Sequence, residues 1–263
     1  MGEAKQLIVK PISASDANRV IKSLHYSGKV DPRSQFHLGV FFNGKCGGAM
    51  SFGPSVNKHA SRTLFLNCGW NEWIELHRMA FADWLPRNGE SRCIAYAIRY
   101  IKKHYPHISF LISYSDGSQC GDGTIYRASG FSLTQIKKNT SMWKCKNGEV
   151  VCDLVTRMKS DVIRNRIGML PNEKWSTFQK RGGAVRLEGF QLRYIYFLDP
   201  TARDRLTVPI LPFSEIDKHG AGMYKGVKKC ADSIVINAPC DQQGEGGAEP
   251  TSALHPFSGG DNA

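Results

Sequence analysis

The sequence predicts an α+β fold: a mixed, mostly antiparallel central sheet with flanking helices, a basic insertion and a disordered C-terminal tail. Three observations predict it. Short β-rich runs alternate with two segments of helical spacing, 13–28 and 91–105. Asn43-Gly44 sits between two apolar runs, the sequence signal of an antiparallel hairpin. A strong strand pattern, QLRYIYFL at 191–198, follows a long basic stretch, so the chain is expected to return to the sheet after an excursion.

In chain order, 5–11 (KQLIVKP) reads as the first strand. Ser13 or Ser15 can cap the following helix, whose buried stripe is Ala17, Val20, Ile21 and Leu24. That helix stops at Gly28 and presents His25 and Tyr26 at its edge. The runs 37–42 and 47–52 form the hairpin, and 56–69 is polar and irregular. The run 73–81 (WIELHRMAF) is a strand. Alternation puts Trp73, Glu75, His77, Met79 and Phe81 on one side and Ile74, Leu76, Arg78 and Ala80 on the other. A helix over 91–105 carries Ile94, Ala97, Ile98 and Ile101 at helical spacing. Strands around 133–138 and 150–156 close this part.

The chain has a net charge of +12. Its end, from Asp241 onward, holds four carboxylates and no Lys or Arg, which leaves +16 on the rest. Such a surplus points to a polyanionic partner, with nucleic acid ahead of a membrane surface because no basic amphipathic helix has a clean apolar face. The stretch 157–186 concentrates the charge and interleaves Trp175 and Phe178, the footprint of a nucleic-acid contact or else a solvated helix and loop. Candidate DNA contacts are Lys29, Arg33, Lys58, Arg164, Arg166, Lys174, Lys180 and Arg181. None of the eight cysteines forms a C-x-x-C pair, which argues against a zinc finger. No signal peptide and no transmembrane run is expected, so the compartment read from the sequence is a cytosol with reduced thiols. From 238 onward, Gly, Glu, Pro and Ser dominate, the composition of disorder.

The chain is organised around 108–131, ISFLISYSDGSQCGDGTIYRASGF. An apolar strand (108–114) runs into a polar loop with three glycines, then into a short helix at 124–129 with Thr124 as N-cap and Gly130 as stop. A buried strand ending in an aspartate, a Gly-rich turn and a helix start make a ligand site, into which Asp116 and Tyr126 can both project. The alternative is a surface loop between two elements.

This element order resembles the GNAT acyltransferase fold, in which a long strand leads to a donor-binding helix, the next strand splays away, and a short helix carries a tyrosine. TIYRASGF at 124–131 resembles that last helix. The resemblance places the donor along Met79, Phe81, Arg87, Gly89 and Ser91. The usual R/Q-x-x-G-x-G/A loop for the pyrophosphate of coenzyme A is reduced here to Arg87-Asn88-Gly89-Glu90-Ser91, with an acid at the anion position. HYSGK at 25–29, ELHRMAF at 75–81 and the 108–131 stretch together resemble the Mom family of phage-encoded DNA-modification proteins, over roughly 7–229.

That resemblance implies an enzyme that converts adenine in phage DNA to an N6-carbamoylmethyl (acetamido) form and so protects it from host restriction, in the cytoplasm of the bacterial host. It implies a catalytic set of His25, Tyr26, Arg78, Asp116 and Tyr126. In this reading Asp116 accepts a hydrogen bond from N6 and can take its proton, and Tyr126 protonates the leaving group. Arg78 stabilises developing charge, holds the donor, or pairs with Asp116. The base is flipped or captured unpaired, with Tyr26, Trp175 or Phe178 stacking on it. His25 alternatively serves only as a helix C-terminal imidazole. His25, Tyr26 and Asp116 could also ligate iron.

A glycyl amide is an isomer of the carbamoylmethyl group, so an activated glycine, such as glycyl-tRNA, is preferred to acetyl-CoA as donor. The implied partners are double-stranded DNA, the donor tRNA and a second copy in a homodimer, with no membrane. The implied organisation is a catalytic core over 1–156, a basic insertion at 157–189 for DNA or dimer contact, a strand and loops at 190–237, and an acidic tail at 238–263. The rivals are a GNAT-type N-acyltransferase of a protein or small molecule, and a non-catalytic DNA-binding protein on the same scaffold.

Overall fold

The protein is described from a computed structural model, covering residues 2–153, 161–224 and 227–228. The expected disordered tail, with Arg157 and Lys159 of the basic stretch, lies outside the described residues. A short 3-10 turn, Glu3–Gln6, leads into β1 (Ile8–Pro11), which is thereby shorter than expected. Ser13 caps α1 (Ala14–Leu24) by accepting the Asp16 amide at 3.1 Å. Ala17 and Ile21 are buried, but Leu24 is not, because the helix ends there and its side chain faces a cleft. β2 (Phe36–Phe42) and β3 (Lys45–Gly53) pair across Asn43 (φ 49) and Gly44 (φ 77), two left-handed residues as a type I′ turn requires. A short helix, α2 (Lys58–Arg62), fills the stretch that reads as irregular.

β4 (Trp73–Phe81), α3 (Gly89–His104), β5 (Phe110–Asp116), α4 (Thr124–Ala128) and β6 (Ser132–Lys138) follow at the expected places. β10 (Phe190–Phe197) then inserts between β5 and β6. The main sheet has seven strands in the order β1-β2-β3-β4-β5-β10-β6, antiparallel except at β4 and β5. α3 and α4 cover one face, where Ile74, Leu76, Ile94, Ile98, Leu111 and Tyr126 form the main core. On the other face α1 packs Ala17 and Ile21 against Ala49 and Ala80. On that second face the segment around α2 also packs Leu64 and Phe65 against Trp73, Phe110 and Ile112.

Two expectations about strands are corrected. β4 does not alternate throughout. Its register against β3 skips His77, a β-bulge, so Met79 and Phe81 join the core of Ile74 and Leu76. The run at 150–156 does not close the main sheet. Its described part, β8 (Val150–Cys152), joins β7 (Met142–Cys145) and β9 (Ala184–Arg186) in a separate three-stranded sheet. α5 (Asp161–Arg166) and α6 (Trp175–Lys180) flank this sheet, and Cys145, Val151, Ile167, Met169, Phe178 and Ala184 form a small core beneath it. After β10 the chain makes a second 3-10 turn, Pro200–Arg205, then α7 (Ser214–Lys218) and the hairpin of β11 (Met223–Tyr224) and β12 (Val227–Lys228). No helix among the described residues is long and apolar enough to cross a membrane.

Candidate active site

β4 and β5 pair only from Trp73↔Phe110 to Leu76↔Ser113, although both strands continue. Where the pairing stops, a cleft of about 920 Å³ opens. It receives side chains from both faces of the sheet. His25, Tyr26 and Lys29 come from the α1 end; Met79, Phe81, Thr124, Ile125 and Tyr126 come from the α3–α4 side. The small sheet contributes Met142, Val150 and Cys152, so this sheet forms one wall of the cleft.

All five expected catalytic residues line this cleft. His25 is the C-cap of α1, and its Nδ1 accepts the Ser27 amide at 3.2 Å, which leaves the ring proton on Nε2. Burial, then the Arg78 charge, pushes its pKa down to about 4. With its pKa lowered so far the ring is neutral at pH 7. Its centroid lies 4.3 Å from that of Tyr26. Tyr26 is 49% exposed, yet desolvation by the cleft walls, then the Asp116 carboxylate, pushes its phenol up.

Asp116 ends β5, and its carbonyl accepts the amides of Gln119 (3.2 Å) and Cys120 (2.9 Å). Its carboxylate accepts the Ser118 amide (3.0 Å), the Ser118 hydroxyl (2.5 Å) and Gln119 Nε2 (2.7 Å). The loop is anchored below: Tyr194 donates its hydroxyl to the Asp122 carbonyl at 2.5 Å. Gly123, at φ +80, is the N-cap of α4 in place of Thr124, whose hydroxyl instead donates to Asp122 Oδ1 at 2.8 Å. Only glycine fits there, because a Cβ would stand 2.4 Å from Tyr194 Cε2. Tyr126 is 8% exposed between Phe131 and Tyr194, and burial raises its phenol, which stays protonated. Arg78 does not pair with Asp116; it donates to the Lys29 carbonyl (3.0 Å) and the His77 carbonyl (2.6 Å).

Glu75 is the functional candidate that sequence reasoning passed over. It lines the cleft, is 8% exposed, and burial pushes its carboxyl up to about 7, against a hydrogen bond from Ser55 and the charge of Arg33. Its signal was the one carboxylate in the strand WIELHRMAF.

Of the expected donor contacts, Met79 and Phe81 line the cleft and Arg87, Gly89 and Ser91 do not. The Gly89 amide donates to the Pro86 carbonyl at 2.9 Å and the Ser91 hydroxyl to the Asn88 carbonyl at 3.1 Å. The turn closes on itself, and Glu90 is the residue of this segment that reaches the cleft. A pyrophosphate thus meets a carboxylate where the coenzyme A loop would offer amides, a poor fit for that donor. Iron also fits poorly. Asp116 already takes three hydrogen bonds, His25 spends Nδ1 on Ser27, and no group of three or more His, Cys, Asp or Glu suited to a metal exists among the described residues.

The expected DNA contacts separate into two sets. Lys58, Lys174 and Lys180 are exposed. Several cations are held locally: Arg33 by Asp31, Arg166 by Glu149 at 2.6 Å, Arg181 by Glu173 at 2.6 Å, and Arg164 by the Glu173 carbonyl at 2.6 Å. Lys29 lines the cleft and donates to the Val150 carbonyl at 2.9 Å, tying the small sheet to the α1 end. Phe178 is 1% exposed in the small core, which corrects its expected stacking on a base, and Trp175 packs beside it.

The profile of the Mom protein family matches residues 6–215. Methylcarbamoylase mom of Escherichia phage Mu is 30% identical over 208 residues, 79% of this chain and 82% of that protein. Among solved structures, a GNAT family acetyltransferase from Elizabethkingia anophelis with acetyl-CoA bound overlaps 73% of this chain and 98% of its own, at 12% identity and a TM-score of 0.41. The ribosomal-protein-S18-alanine N-acetyltransferase from Escherichia coli overlaps 73% and 94%, at 11% identity and a TM-score of 0.41. Those overlaps are distant, and the GNAT-like assignment rests on the strand order and the split between β4 and β5. On the extent of the profile match and of the identity to the phage Mu protein, the chain belongs to the Mom protein family.

Proposed function

We propose that the protein modifies adenine in phage DNA at N6, installing a carbamoylmethyl group that shields the DNA from restriction endonucleases, in the cytoplasm of the bacterial host. The observation that carries this reading is the convergence of His25, Tyr26, Arg78, Asp116 and Tyr126 on one cleft at the split of the sheet, in a chain of the Mom family. Adenine N6 is a weak nucleophile whose lone pair is delocalised into the ring, so it needs a fixed acceptor for one N–H and a base for the other. Asp116 suits the first task, since three donors hold its carboxylate in one direction. Glu75, poised at about 7, suits the second.

Tyr126, kept protonated by burial, can deliver a proton to the leaving group. The neutral His25 offers an Nε2–H donor, and half-exposed Tyr26 offers a face for a flipped base. Glu90 at the start of α3 favours a donor other than coenzyme A. An activated glycine ester, such as glycyl-tRNA, would acylate N6 and release its alcohol, and an intramolecular rearrangement would then convert the resulting glycyl amide into the isomeric carbamoylmethyl product.

Nucleoside mass spectrometry on DNA from cells expressing the wild type, Asp116→Ala and Tyr126→Phe tests this. The expected result is a heavier adenosine in the wild type alone, with all three proteins folded. Unchanged DNA in the presence of folded wild type would turn the reading to an acyltransferase of protein or small molecules, or to a binding protein. Modification by purified protein supplied with acetyl-CoA and no aminoacyl donor would refute the glycine donor.

A further inference from the structure

Outside the cleft, the side chain that calls for a reason is Trp70. Its indole is 45% exposed, yet it is held in place. The Arg62 guanidinium lies 4.8 Å from the ring centroid, and the His59 ring meets it edge-on at 5.0 Å. Arg62 is fixed in turn by donating Nε to the Cys68 carbonyl at 2.7 Å. Lys58 is exposed at the start of the same helix. Arg205 borders the loop, where its carbonyl accepts the Leu66 amide at 2.8 Å and its guanidinium pairs with Glu72 at 3.0 Å. Lys58 and Arg62 therefore stand beside an ordered aromatic face, with Arg205 and its partner Glu72 at the border of the loop.

This patch lies on a definite side of the sheet. Phe65 stacks on Phe110 with centroids 3.7 Å apart, and Leu64 joins Phe110 and Ile112 in the same cluster. Alternation along β5 puts Phe110, Ile112, Tyr114 and Asp116 on one face. One strip of strand thus runs from beneath the patch to the cleft, about 20 Å at the usual rise. Tyr114, also 45% exposed, stands on that strip beside Ser61 of α2. α3 and α4 pack on the opposite face, so the patch shares its side with His25, Tyr26 and Asp116 and not with the donor side.

We propose that Trp70, with Lys58, Arg62 and Arg205, is a stacking platform for unpaired nucleotides of the DNA strand that carries the target base. The proposal rests on the DNA-modifying reading above and adds a second contact site to it. A base has a π-face whatever its sequence, so an immobilised indole holds it without base readout, while the cations neutralise adjacent phosphates. The platform fixes the strand's path from Trp70 past Tyr114 to Tyr26.

The test is fluorescence anisotropy at fixed salt with labelled single-stranded DNA, duplex DNA and RNA of the same sequence. The proteins are wild type, Trp70→Ala, Trp70→Phe and, as a control at another exposed indole, Trp84→Ala. Trp70→Ala is expected to weaken single-stranded DNA binding between about 5-fold and about 100-fold. Trp70→Phe retains a stacking ring and should stay within about threefold of wild type, as should Trp84→Ala. Equal affinity in Trp70→Ala and wild type overturns the platform and leaves the DNA-modifying reading untouched. A larger loss for RNA than for DNA overturns it by assigning the surface to the donor. A folded wild type with no affinity for any DNA overturns the DNA-modifying reading itself.

Discussion

Replacing Glu75 with glutamine removes a carboxyl that is 8% exposed and whose pKa burial pushes from 4.5 to about 7. Between those values the folded protein holds a proton that the unfolded chain has released. The stability associated with this group is thus complete below the unfolded pKa and is lost as pH rises through the folded one. At about 1.4 kcal/mol per unit, the whole shift amounts to about 3 kcal/mol. Most of it, about 2.5 kcal/mol, falls between about pH 5 and about pH 8. His25 acts in the opposite sense, since its pKa falls from 6.5 to about 4 and its burial favours the folded state as pH rises. That contribution is common to both proteins and cancels in their difference. Urea unfolding of wild type and Glu75→Gln across this range should show the variant gaining about 2.5 kcal/mol relative to wild type from the acid to the alkaline end. A difference independent of pH would refute the buried, proton-holding carboxyl, and with it the case for Glu75 as the base.

Gly123→Ala forces an L residue to φ +80 and drives its Cβ to 2.4 Å from Tyr194 Cε2. The expected loss is about 3 kcal/mol in urea unfolding, with reduced DNA modification because the Asp116 loop is displaced. For the basic surface, Lys58→Ala, Lys174→Ala and Lys180→Ala should each lower the slope of log binding constant against log salt by about 1. Arg181→Ala should change that slope less, since the guanidinium is already paired with Glu173, whose carboxyl it holds down at about 2.

The elements legible in the sequence are those whose cause is local. The Asn43-Gly44 turn, the Ser13 cap and the helical spacing of Ile94, Ala97, Ile98 and Ile101 each act within a few residues, and each element formed where expected. What was not legible depends on distant partners. β7 exists because Val185 and Val151 supply pairing strands and Ile167 and Phe178 supply a floor, far along the chain. The bulge at His77 adds one residue to a strand and leaves no mark in composition, yet it reverses which face Met79 and Phe81 occupy. The site divides in the same way. Asp116 and Tyr126 announce themselves by the loop that joins them, whereas Glu75 gains its proton affinity from burial, a property of the assembled sheet.

The split between β4 and β5 also bears on the order of chemical events. The pairing that ends at Leu76↔Ser113 leaves a cleft reached from both faces, with Tyr126 and Phe81 on one side and His25 and Tyr26 on the other. Donor and acceptor can then be bound together and react across the split, with no need to store the transferred group on the enzyme. Cys120 is the exposed thiol in the cleft, and it is a poor store: burial, then the Asp116 charge, raises its pKa, which disfavours the thiolate that would attack a donor. Initial-rate measurements with both substrates varied should therefore give intersecting double-reciprocal lines, and Cys120→Ser should retain most of the activity. Parallel lines, or a labelled acyl group trapped on the wild-type protein and absent from Cys120→Ser, would show that the group is held on the chain between two separate half-reactions.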